Sequence, residues 1–134
     1  MMIGKMCIYH MFCCMLGMIV IGMNLTFTQN RIIEIILYIV YSITVIVFYF
    51  IIGYRFVEIG GAIKIQAQIW FISFVLIIVG FISVEHSLLF NLSFQPLFAL
   101  FDDMLSQEKI YVISSLCPSF LIELGYIYKL INMK

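Results

Sequence analysis

Charge is scarce in this chain. Seven basic and seven acidic residues stand among 134, 10% of the total, and they cancel to a formal net charge of zero. Soluble domains are about one quarter charged and about half apolar, whereas 65% of this chain is hydrophobic, so a water-soluble exterior is excluded. The same shortage leaves no basic face for nucleic acid and no charged tail for an acidic partner. Proline is nearly absent, at two residues, Pro96 and Pro118, and long stretches can therefore run as unbroken helix. At 134 residues the chain is expected to form one domain, over residues 1–134. Four membrane crossings of about 20 residues each would occupy more than half of it, leaving no separate catalytic domain.

Catalytic motifs are also missing. The chain holds no glycine-rich loop to cradle a phosphate, no H-E-x-x-H zinc site and no G-x-S-x-G nucleophile elbow. Gly60 and Gly61 stand alone as a hinge between Glu58 and Lys64. Ser115, His10 and Glu123 make a triad only by selection, because a triad is defined by geometry. Catalysis is not expected, and no cofactor is implied.

What is present is a set of four apolar runs, at residues 6–27, 35–54, 69–84 or 69–90, and 110–131. The first follows Lys5, contains no charge and lacks a small-residue cleavage site at Asn24-Leu25-Thr26-Phe27, so it reads as an uncleaved anchor rather than a signal peptide. The second is free of charge and closed by Arg55. The third opens with Trp70 at its edge, where an indole suits a membrane interface. The fourth contains Glu123 and Pro118 and ends beside Lys129 and Lys134.

Between the third and fourth runs the character changes. Phe90, Phe94, Leu97 and Phe101 recur at helical spacing, with Ser87, Asn91 and Gln95 between them as a polar stripe. Pro96 interrupts this pattern, because it lacks an N–H and restricts Gln95, so a break there and a short helix from Pro96 are expected. That segment is either interfacial or a re-entrant hairpin. The expected fold class is all-α: an integral membrane four-helix bundle with this amphipathic segment between its third and fourth helices.

Loop charges orient the bundle, because cytoplasmic loops retain Lys and Arg. With both termini inside, Lys5, Arg55, Lys64, Lys129 and Lys134 are cytoplasmic, and Arg31 and Lys109 are external. The expected location is the cell membrane, as a multi-pass protein.

Glu123 is the most informative residue. A carboxylate within a spanning helix costs about 2.5–3.5 kcal/mol on insertion scales and needs a partner or a proton. It precedes Lys129 by six residues, about 9 Å along a helix, and His10 lies at a similar depth on the first run. The expected topology brings these two to one level, where they could face each other across the bundle as a titratable or structural pair. The plainer reading is that Glu123 snorkels toward Lys129 while His10 bonds a nearby backbone group.

Small and polar residues recur on single faces of each run: His10, Gly17 and Asn24; Tyr38, Ser42, Tyr49 and Gly53; Ser73, Gly80 and Ser83; Ser115, Ser119 and Glu123. Such stripes mark helix-packing faces, and Gly17, Ser42, Gly80, Ser115 and Ser119 are expected in the contacts.

Cys7, His10, Met11, Cys14 and Met18 form a stripe of soft donors on the first run, a weak candidate for Cu(I). As a rule such residues simply pack, and with Cys117 and Cys13 also in apolar runs no disulfide framework is expected. Asp102, Asp103 and Glu108 read as a solvated turn before the fourth helix rather than a cation site. The sequons at Asn24 and Asn91 read as chance.

Together these features suggest a small non-enzymatic multi-pass protein that packs in the lipid bilayer against a larger membrane-protein partner, or against itself as a homo-oligomer. It would act as an accessory, regulatory or protective subunit. The alternative is an oligomeric transporter or channel subunit that uses Glu123 and His10.

Overall fold

A computed structural model describes residues 2–27, 30–57, 62–82, 93–100 and 106–133. These residues are helical, without any strand among them: α1 (Met2–Phe27), α2 (Arg31–Phe56), α3 (Ala62–Ile82), α4 (Gln95–Ala99) and α5 (Gln107–Asn132). At about 1.5 Å per residue, the 26-residue helices α1, α2 and α5 are each about 39 Å long. Among the described residues, three stretches are long and apolar enough to cross a membrane: Ile3–Met23, Arg31–Phe56 and Lys109–Asn132. The apolar part of α3, Lys64–Val79, is shorter.

Each long helix extends past its apolar run. α3 departs most from expectation, since it begins at Ala62, seven residues before the hydropathy boundary at Ile69. Hydropathy marks where lipid solvation begins, whereas the backbone stays helical wherever its hydrogen bonds continue, and this extension carries Gln66 onto the helix.

The ends follow from local chemistry. The Asn30 side chain accepts from the Ile32 N–H at 3.0 Å and starts α2 as its N-cap. At its other end the Lys129 ammonium donates to the Val57 carbonyl at 2.8 Å, a cation on a helix C-terminus. Proline stands in the first turn of α4, where its missing N–H costs nothing. Pro118 is buried inside α5 and removes the donor to the Ser114 carbonyl, a loss that neighbouring helices tolerate in a packed bundle.

Side-chain pairings fix the directions. α1 is antiparallel to α2, with Tyr9 against Phe56, His10 against Tyr49 and the Cys13 carbonyl accepting from Tyr41 at 2.8 Å. α3 is antiparallel to α5, through Gln66 and Glu123, Ser73 and Ser119, and the Tyr111 hydroxyl on the Leu76 carbonyl. α2 and α5 run parallel, with Phe50 and Tyr54 both against Tyr128 and Val57 against Lys129. The starts of α1 and α3 and the ends of α2 and α5 therefore share one end of the bundle, with Lys5, Arg55, Lys64 and Lys129. Arg31 and Lys109 lie at the other.

The tightest crossing is between α2 and α5. A Cβ on Gly53 would lie 1.9 Å from the Ile122 carbonyl oxygen, and one on Gly125 would lie 2.0 Å from that of Phe50. Only glycine lets the backbones meet this closely, as small-residue contacts do in membrane bundles. Around the crossing sit Val45, Ile52, Ile69, Ile122 and Tyr126, all buried. Outside, large apolar side chains are exposed along every long helix, among them Ile8, Ile32, Phe74 and Ile131.

α4 is folded into this core. It packs against α1 and α2, and Pro96 and Phe98 are buried. Phe94, just ahead of it, stacks on Tyr49 with ring centroids 5.5 Å apart. Tyr49 precedes Val57 by eight residues, so this contact lies about 12 Å inside the basic end of α2 rather than at the bundle rim.

Candidate functional site

Glu123, the acidic side chain of the fourth apolar run, is half-buried on α5 where it meets α3. Its Oε1 accepts from the Gln66 amide at 2.9 Å and its Oε2 from the Trp70 indole N–H at 3.0 Å. Gln66 and Trp70 stand four residues apart and so share one face of α3. Because an indole nitrogen can only donate, it fixes Oε2 as an acceptor. Further toward the opposite end, Ser73 donates to Ser119 at 2.7 Å, and Ser119 donates to the Ile69 carbonyl at 2.7 Å. Polar contacts thus join α3 and α5 at successive turns.

His10 is elsewhere. It is buried on α1, with Nδ1 2.6 Å from the Tyr49 hydroxyl and Nε2 3.6 Å from the Cys14 thiol. The expected meeting of His10 with Glu123 is therefore corrected. α1 packs mainly on α2, α3 and α4, and the histidine turns to α2 while the carboxylate turns to α3. Nor does Glu123 reach Lys129, whose ammonium is held at the end of α2.

The soft-donor stripe is corrected as well. His10 and Cys14 face the core, whereas Cys7, Met11 and Met18 are exposed. The buried face of α1 is Met6, His10, Cys13, Cys14 and Gly17, and the stripe straddles its edge. Among the described residues no three His, Cys, Asp or Glu side chains converge as metal ligands, and the four cysteines form no disulfide.

The remaining expected positions fall as follows. Gly17, Ser42, Ser115 and Ser119 are buried. Ser42 donates to the Tyr38 carbonyl at 2.6 Å, and Ser115 to the Tyr111 carbonyl at 2.9 Å. The side chains of Asn24, Gly80 and Glu108, and residues 83, 91, 102 and 103, lie outside the described residues.

Sequence reasoning missed Gln66 and Trp70 as the partners of Glu123. A signal existed: two N–H donors four residues apart beside an apolar run that must pack against a helix holding a carboxylate. It also missed Gly125, whose role depends on a close approach that single-helix patterns do not encode.

Compared with protein-family models, curated proteins and solved structures, the chain matches none.

Proposed function

We propose that this chain is a four-crossing membrane protein that acts without catalysis, as an accessory, regulatory or protective subunit associating through helix packing. In this reading α3 is the fourth crossing, and both termini are cytoplasmic because Lys5, Arg55, Lys64 and Lys129 gather at one end. On the same reading α4 belongs to a re-entrant segment, tolerated at depth because α1 and α2 pack against it.

The observation that carries the proposal is the contrast between inside and outside. Within the chain the helices meet through glycine, serine and hydrogen-bonded contacts, while large apolar side chains face outward along the helices. Such a surface is suited to lipid and to other membrane helices, and to little else. The test is crosslinking in the native membrane followed by mass measurement from mild detergent. A defined homo-oligomer or hetero-complex is the expected result, and a chain recovered only as a monomer would contradict it.

A second reading draws on Glu123. A carboxylate held at depth by neutral donors can take part in proton or ion movement if an oligomer supplies the path. Reconstituted vesicles should then show a flux that Glu123→Gln abolishes. Flux that ignores the substitution removes this reading.

A further inference from the structure

A carboxylate surrounded by hydrocarbon is stabilised by a cation, and the described part of this chain does not bring one to Glu123. Its two oxygens are held by an amide and an indole, both neutral. Lys129 is engaged with Val57, and Lys5, Arg31, Arg55, Lys64 and Lys109 are exposed near the helix ends. Two neutral donors satisfy hydrogen bonding but bring no positive charge to the carboxyl group.

The surface beside Glu123 is apolar along the length of α5. Leu116, Phe120, Leu124, Ile127 and Ile131 are all exposed on α5, spaced by three or four residues, and so form one apolar ridge along the helix. Glu123 sits between Phe120 and Ile127 beside this ridge, half-exposed, where a neighbour in the bilayer can reach it. The ridge extends over about four helical turns, a length that matches another helix rather than a small ion.

We infer that this edge of α5 docks a partner transmembrane helix bearing a lysine or arginine at the depth of Glu123. Apolar packing along the ridge supplies contact area, and the ion pair sets register, because a cation placed deeper would itself be stranded in lipid and one nearer the helix end would turn to the headgroups instead. The inference deepens the accessory-subunit reading and rests on it. It can fail while that reading stands, since subunits can also associate through apolar packing alone.

The test uses the full chain in phosphatidylcholine vesicles with a fluorescent polyleucine helix of about 22 residues. One version carries a single lysine about 9 Å from its cytoplasmic end and the other has leucine there. Energy transfer should report association about tenfold tighter for the lysine helix, the scale of a good interhelical polar contact. Glu123→Gln, which preserves side-chain size, should abolish the preference, and Glu123→Asp should retain part of it. Equal association of the two helices in the wild-type chain overturns the proposal whether or not the variants fold. A preference that survives Glu123→Gln overturns it too. So does stoichiometric, Glu123-dependent binding of tetraphenylphosphonium without any lysine preference, which would make the site one for a small lipophilic cation.

Discussion

The Gly125 Cα faces the Phe50 backbone so closely that a Cβ there would lie 2.0 Å from the carbonyl oxygen. No rotamer change relieves such a clash, because both partners are backbone, so α2 and α5 would have to separate. Overpacking of a fitted core costs about 1–3 kcal/mol, occasionally more. Gly125→Ala and Gly53→Ala should therefore lower the stability of the detergent-solubilised protein by at least that amount, read by thermal melting of its helical signal. Gly4→Ala and Gly22→Ala, where nothing lies within 4 Å of the added carbon, should not lower it, and alanine's better helix propensity should raise it by up to about 1 kcal/mol.

Trp70 is the single tryptophan of the chain, and its N–H points at Glu123. Its fluorescence is consequently a direct probe of the carboxylate. Glu123→Ala should shift the emission to the blue, as the indole loses its polar partner. Identical spectra for the two proteins would show that the hydrogen bond does not form.

The hydroxyl pair Ser73 and Ser119 couples α3 to α5. A double-mutant cycle with alanine at each position should return a coupling of about 0.6 kcal/mol, and no more than about 1.7, as found for hydrogen bonds between membrane helices. A coupling of zero would place the pair's contribution in packing alone.

Tyr49 is fully buried, bonded to His10 and stacked on Phe94. Tyr49→Phe keeps the ring and removes the hydroxyl 2.6 Å from the buried His10 Nδ1, at a cost of about 1–3 kcal/mol. Tyr49→Ala also empties the ring's space and should cost about 3–5 kcal/mol. Comparable losses for the two variants, measured by the same melting experiment, would mean that α4 does not rest on this ring.

How much of this was legible beforehand varies with the physics involved. The helical class could be read from apolar runs alone, because length and hydropathy are properties of each segment. The four-residue spacing of Ser115, Ser119 and Glu123, and the spacing of Tyr38, Ser42, Tyr49 and Gly53, coincide with the inward sides of α5 and α2 for the same reason. Pairing was not legible. Whether Glu123 meets His10 on α1 or Trp70 on α3 depends on which helices are neighbours, and a shared depth is compatible with both. Likewise the soft-donor stripe on α1 could be drawn correctly and still lie at the border of the buried face: His10 and Gly17 turn inward, whereas Cys7, Met11 and Met18 suit a lipid-facing side as well as a packed one.

The proposed function requires a chain threaded through the bilayer with the starts of α1 and α3 and the ends of α2 and α5 on one side. Single cysteines at positions 5, 31, 64, 109 and 129, in a chain whose native cysteines are replaced by serine, can be labelled from outside intact cells with an impermeant maleimide. Labelling at positions 31 and 109 only is the predicted result. Labelling that separates position 5 from position 129, or position 64 from both, would contradict it.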